Sequence, residues 1–264
     1  MSDRVAIITG AARGIGAATS VRLANSGWRL VLVDRCADDP DLAYPLATEQ
    51  DLRDTCIDCG GDEHAIAIMA DVRDQSALDA AVDTAVSEFG GVDAAVAVAG
   101  GIAGGNEAWA TSDDLWSVMM RVNLEGVWRL ARAAIPAMLE RPRPRSGRFV
   151  AVSSAGGTLG LPKLSAYSAA KHGVIGFIKS LAAELGLEGI TANAVAPGST
   201  ATAMLDASAA VYGLDDVREF ASHHQLGRLI EPNEVAALAA WLCGPDSAAI
   251  TGAVLPVDAG MTAS

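Results

Sequence analysis

Short apolar runs rich in β-branched residues recur along the chain at 5–9, 28–33, 65–69, 94–98, 148–152, 190–195 and 254–257. Each has strand length and is bounded by polar or glycine-containing segments, so each predicts a buried strand. Between them lie stretches with helical spacing, among them 17–25, 49–57 and 166–184. Strands that alternate with helices predict an α/β fold, a parallel sheet with helices on both faces. No linker divides the chain, so its 264 residues predict a single domain, 1–264.

Charge narrows the partners. The formal net charge is −13 and no basic stripe runs along any element, which argues against nucleic acid. No run of about 18 apolar residues is present and the N-terminus lacks a signal-peptide pattern, so neither a membrane span nor export is expected. The acidic balance suits a cytoplasmic protein. Hydrophobic residues make up 51% of the chain, enough for a buried sheet and a subunit interface.

The four cysteines predict no disulfide framework. Cys56 and Cys59 have no second pair at zinc spacing, and no metal site is expected. His223-His224 reads as a surface pair, and the proline-broken segment from Arg141 to Ser146 as a solvated connector.

Two local patterns carry chemistry. The first is Gly10-Ala11-Ala12-Arg13-Gly14-Ile15-Gly16, between the first predicted strand and helix. Glycines there let a backbone approach a pyrophosphate, and a helix start supplies free N–H groups. Asp34, at the end of the second strand, can accept hydrogen bonds from a ribose and repel a 2′-phosphate, which favours NAD over NADP. Arg13 and Arg35 could each meet a phosphate; the alternative reading for both is a solvated surface arginine. The second pattern is Tyr167 and Lys171, four residues apart and so on one helix face. Free tyrosine titrates near 10; a cation beside it should lower that value and make the phenol an acid/base group.

Together these patterns resemble the short-chain dehydrogenase/reductase family over nearly the whole chain. The resemblance implies a Rossmann-type doubly wound sheet of about seven strands. It also implies catalytic roles for Asn123, Ser154, Tyr167 and Lys171. Ser154 lies 13 residues before Tyr167, as the family pattern requires, and would orient the substrate oxygen. Tyr167 would move the proton, Lys171 would hold the ribose, and Asn123 would fix a water. The implied NAD contacts are Gly10, Arg13, Gly14, Ile15, Gly16, Asp34, Arg35, Asp71, Val72, Ala99, Gly100, Tyr167, Lys171, Pro197, Gly198 and Thr202.

Two departures from the family pattern stand out. The fourth strand ends Ala97-Val98-Ala99-Gly100, where the family has Asn-Asn-Ala-Gly. After Asp34, about a dozen extra residues (35–48) precede the next helix, with a partly apolar core at Tyr44-Pro45-Leu46-Ala47-Thr48 that predicts a docked loop. This insertion resembles that of the carveol-dehydrogenase-like, mycofactocin-dependent branch. The branch implies a retained NAD, walled in by the loop and reoxidised by mycofactocin.

A lid is expected at 199–226, with Met204, Leu205, Val211, Tyr212, Leu214, Phe220 and Leu226 over an apolar pocket that Trp109 and residues 159–161 help to line. These side chains suit a small hydrophobic alcohol or ketone. The family also implies a homotetramer with the helix at 166–184 as an interface. Two alternatives stay open: an ordinary ketoreductase or alcohol dehydrogenase with freely exchanging NAD(P), and a non-enzymatic NAD-sensing protein. The complete set of Asn123, Ser154, Tyr167 and Lys171 argues against the last.

Overall fold

In a computed structural model, residues 4–263 are described; the outermost residues of the expected domain, 1–3 and 264, lie outside them. The strands are β1 (Val5–Thr9), β2 (Arg29–Asp34), β3 (Ala65–Met69), β4 (Ala94–Ala97), β5 (Gly147–Val152), β6 (Ile190–Pro197) and β7 (Val254–Val257). They form one parallel sheet in the order β3-β2-β1-β4-β5-β6-β7. The order reverses between β1 and β4, which opens a crevice at their carboxyl ends.

Alternation along the strands sorts the core into two layers. From β1, Val5 and Ile7 point to one face, where α3 (Gln75–Phe89), α5 (Gly126–Leu139) and α6 (Ser165–Leu185) bury Val82, Leu130 and Ile178. Ala6 and Ile8 point to the other, against Leu23 of α1 (Gly14–Asn25), Leu52 of α2 (Glu49–Asp58) and Leu242 of α8 (Pro232–Cys243). Local signals set the helix starts. The Thr48 hydroxyl accepts from the Asp51 N–H while the Asp51 carboxylate accepts from the Thr48 N–H, a reciprocal cap for α2. Asp74 caps α3, and Ser112 caps α4 (Asp113–Met120). Among the described residues, no helix is long and apolar enough to cross a membrane.

The predicted strands are present, with shifted ends. β4 stops at Ala97, and β6 runs two residues further, to Pro197. Helix α1 begins at Gly14 rather than Ala17, because the Ala17 N–H already bonds to the Arg13 carbonyl. The segment from Arg141 to Ser146 is exposed at Pro142, Arg143, Pro144 and Ser146, as a solvated connector would be, but Arg141 and Arg145 are tethered. Arg141 grips both oxygens of Asp93 at 2.9 and 3.0 Å and the Gly90 carbonyl at 2.8 Å, and Arg145 reaches Glu188 at 2.7 Å. Asp93 also accepts from the Val5 N–H at 2.9 Å, so this segment ties α3, β1 and β5 together at the end of the sheet remote from the crevice. Cys56 and Cys59 are buried free thiols, and burial pushes Cys59 up to about 12, which leaves it inert.

Candidate active site

A cavity of about 1030 Å³ opens over the carboxyl ends of the strands. At one end it is lined by Gly10, Arg13, Gly14, Ile15, Asp34, Arg35, Asp71 and Val72. At the other it is lined by Ala99, Gly100, Ser154, Tyr167, Lys171, Pro197, Gly198 and Thr202. Of the site residues predicted from sequence, only Gly16 and Asn123 are outside this lining.

Gly16 serves packing. A methyl group there would lie 1.9 Å from the Gly10 carbonyl oxygen, so the glycine lets α1 seat directly on the turn. Asn123 is fully buried in a π-helical turn, Arg121–Glu125, between α4 and α5. Its Oδ1 accepts from the Gly101 N–H at 3.1 Å, and its Nδ2 donates to the carbonyls of Gly101 and Met119 at 3.0 and 3.1 Å. Both amide hydrogens are thus spent on backbone. The asparagine pins the chain just beyond β4, next to the point where the usual Asn-Asn-Ala-Gly asparagines are missing.

Tyr167 and Lys171 share the buried face of α6 with Val174 and Ile178. Ser154 follows β5 in extended conformation, and its Oγ accepts from the Gly156 N–H at 3.0 Å. Burial pushes the Tyr167 phenol up to about 12; a side-chain hydrogen bond with Ser154 acts in the opposite direction, and the nearby Tyr44 phenol adds to the rise. This corrects the expectation of a lysine-lowered tyrosine. The Lys171 Nζ stands 5.8 Å from the centre of the Tyr167 ring and donates to the Val152 carbonyl at 2.9 Å. Its own burial brings it down to about 8.

The insertion is docked. Leu42 and Ala47 are buried, and Asp39, Leu42, Tyr44, Leu46 and Ala47 line the cavity. The Tyr44 hydroxyl accepts from the Ile102 N–H at 3.2 Å, and Arg13 donates to the Pro45 carbonyl at 2.9 Å. At Gly101 an added methyl would meet the Leu42 side chain at 2.9 Å. Arg13 and Arg35 are therefore not free surface cations: Arg35 pairs with Asp39 and Asp71.

The lid contains α7 (Ala203–Tyr212) and supplies Met204, Leu205, Tyr212 and Phe220 to the cavity. The Tyr212 hydroxyl donates to the Pro162 carbonyl at 2.9 Å and closes the lid onto the 159–162 loop, which also lines the cavity. Val211 and Leu214 pack in neighbouring clusters instead, Leu226 is 65% exposed, and Trp109, at 88% exposure, does not reach the pocket. His224 was expected on the surface but is 4% exposed. The Ser199 N–H donates to its Nε2 at 3.1 Å, and its Nδ1 lies 2.6 Å from the Arg228 carbonyl, which sets the tautomer with the hydrogen on Nδ1. No local sequence signal separates this histidine from its neighbour His223, which lines the cavity.

The residues present fit a dinucleotide. Gly14 has φ +58°, and a methyl there would press against Thr202 across the crevice at 3.2 Å. At Gly100 one would project between Asn123 Oδ1 at 2.9 Å and Lys171 Nζ at 3.6 Å. Helix α1 starts beside this cradle with no side-chain cap and no acid in its first turn, leaving its N–H groups to an anion. Asp34 accepts from the Ala12 N–H at 3.0 Å, which fixes its carboxylate at the rim.

A family model described as enoyl-(acyl carrier protein) reductase matches residues 10–262. The (-)-trans-carveol dehydrogenase of Rhodococcus erythropolis is 36% identical over 274 residues, covering 99% of this chain and 98% of that protein. An uncharacterized oxidoreductase of Mycobacterium tuberculosis is 37% identical over 272 residues, with 98% and 96% covered. The crystal structure of carveol dehydrogenase from Mycobacterium avium in complex with NAD superposes with a TM-score of 0.93 at 34% identity, covering 100% of this chain and 99% of that one.

Proposed function

The chain belongs to the short-chain dehydrogenase/reductase family, and on that footing we propose that it is an NAD-dependent oxidoreductase acting on a secondary alcohol or its ketone. The observation that carries this reading is one cavity with Gly10, Gly14 and Asp34 at one end and Ser154, Tyr167 and Lys171 at the other. NAD, when bound, supplies the hydride acceptor. Gly10, Gly14 and Ile15 would hold its phosphates, Asp34 its adenosine ribose, and Pro197, Gly198 and Thr202 the nicotinamide side.

Ser154 orients the substrate oxygen, and the Tyr167 Oη takes the hydroxyl proton during oxidation and returns it during reduction. Lys171, held by the Val152 carbonyl, presents its remaining hydrogens to the ribose and the phenol. Asn123 acts by positioning Gly101 and thus the cavity wall. Met204, Leu205, Tyr212 and Phe220 exclude water and favour a hydrophobic substrate. The name carried by the Rhodococcus relative supports a terpenoid-sized alcohol.

The same proposal includes a retained NAD behind the 35–48 insertion, with mycofactocin as its electron acceptor. It places the protein in the cytoplasm as a homotetramer of single-domain chains. Purification without added cofactor, followed by mass spectrometry and turnover assays, tests it. Stoichiometric NAD, with turnover only when an artificial electron acceptor is added, is the expected result. Multiple turnovers with soluble NAD alone would replace retention with ordinary exchange; absence of any bound or bindable dinucleotide would overturn the reading entirely.

A further inference from the structure

Asp39 belongs to the insertion, yet the catalytic reading gives it no task. It is 4% exposed. Its Oδ1 accepts from the Asp41 N–H at 3.0 Å, and its Oδ2 pairs with Arg73 Nη2 at 2.8 Å and with Arg35 Nη1. The same two guanidiniums meet Asp71, Arg73 at 2.6 Å and Arg35 at 3.4 Å. All four side chains line the cavity beside Asp34. Two arginines thus face the end of the cavity assigned to adenosine, and each is already bound between two carboxylates.

That arrangement bears on dinucleotide choice. In sheets of this kind an arginine near the end of β2 is the group that accommodates a 2′-phosphate. Arg35, directly after Asp34, stands in that place. Without Asp39, two cations would share the single carboxylate of Asp71, and a phosphate with two negative charges could take its place. We propose that Asp39 is a specificity-determining residue: by holding Arg35 and Arg73 it withholds both from the 2′-phosphate and keeps the site selective for NAD. Asp34 repels that phosphate directly, whereas Asp39 occupies the cations that would offset the repulsion. The insertion thereby reaches into cofactor choice as well as enclosure.

The inference rests on the NAD-dependent reading, and the test keeps the two apart. Wild type, Asp39→Asn and the double variant Asp39→Asn/Arg35→Gln are stripped of bound nucleotide, shown by native mass spectrometry to be empty and folded, and equilibrated with an equimolar NAD and NADP mixture, and native mass spectrometry then reads the ratio bound. Asp39→Asn should move the ratio toward NADP by about tenfold or more, the equivalent of one recovered phosphate pairing. The added Arg35→Gln should reverse most of that shift, and raised salt should shrink it. An unchanged ratio in Asp39→Asn overturns the inference and leaves the parent reading intact. Failure of the folded wild type to take up either dinucleotide overturns both.

Arg35→Gln and Arg73→Gln in the otherwise unaltered chain give an independent check that does not depend on folding of the Asp39 variant. If Asp39 already occupies these arginines, removing either should leave NADP binding within about twofold of wild type. A tenfold loss of NADP binding would mean that they are reachable while Asp39 is present, and the inference would fall.

Discussion

The ammonium of Lys171 donates to the carbonyl of Val152 at 2.9 Å, across the junction between α6 and the end of β5. Burial holds its folded-state pKa at about 8, below the ordinary 10.5. Because the folded value is depressed, the stability linked to this group is present above pH 10.5 and is lost as pH falls toward 8. The shift corresponds to about 3 kcal/mol at roughly 1.36 kcal/mol per unit. The unfolding free energy of wild type minus that of Lys171→Met, measured by urea titration, should rise by up to that amount between pH 8 and 10.5. A flat difference would place the buried charge elsewhere. The substitution should also remove most activity.

Tyr167 has the opposite shift, with its phenol raised to about 12 by burial. Oxidation needs the phenolate and reduction the phenol. The kcat/KM for alcohol oxidation should therefore climb throughout pH 7–10, while that for ketone reduction stays nearly level. Tyr167→Phe should lower both by about 10²- to 10⁴-fold, the usual worth of a positioned acid/base group. Dinucleotide binding, followed by calorimetry, should barely change. Turnover within tenfold of wild type would remove Tyr167 from the chemistry.

The strands and the two ends of the cavity were legible because their signals are local. Val5 to Thr9 is an apolar run followed at once by glycines, and Tyr167 and Lys171 face one way through helix geometry alone. What escaped depends on partners far away in sequence. Arg141 looks solvated until Asp93 arrives from 48 residues earlier, and His224 looks exposed until the Ser199 backbone turns toward it. The pKa of Tyr167 was misjudged for a related reason. Spacing revealed the neighbouring cation, but the depth of burial that outweighs it is a property of the assembled fold.

Tyr44 links the insertion to the chain beyond β4 by accepting the Ile102 N–H at 3.2 Å. Tyr44→Phe deletes one hydrogen bond, a net effect of about 1 kcal/mol. If the insertion encloses NAD, its dissociation should quicken about fivefold in Tyr44→Phe and further when Leu42→Ala is added. Release of NAD during timed dialysis reads this directly, and equal retention in all three proteins would count against the loop as a wall.

His224 anchors the start of the lid through the Ser199 N–H. Its replacement by alanine leaves that buried donor without its acceptor, at a cost of about 1–3 kcal/mol. The lid should loosen, so KM should rise more than kcat falls, and His224→Gln should recover part of the loss by restoring a side-chain acceptor. A proportional fall in kcat with KM unchanged would instead give His224 a part in the chemistry.

Gly16 tests whether the glycine turn is built by contact or by backbone conformation. A methyl group at this position would lie 1.9 Å from the Gly10 oxygen and 2.7 Å from its carbonyl carbon, and neither atom can swing aside as a side chain would. Gly27 offers the contrast: its φ is +81°, and an added methyl would meet nothing within 4 Å. Gly27→Ala should therefore cost only the left-handed strain of about 1–2 kcal/mol and leave NAD binding alone. Gly16→Ala must push α1 off the turn, with overpacking of about 1–3 kcal/mol or more, and the displaced N–H groups should lose NAD affinity as well. Thermal unfolding together with NAD titration separates the two outcomes. Comparable losses of stability with NAD affinity intact in both variants would show that α1 does not need its close seat on Gly10 to present its N-terminus to the cavity.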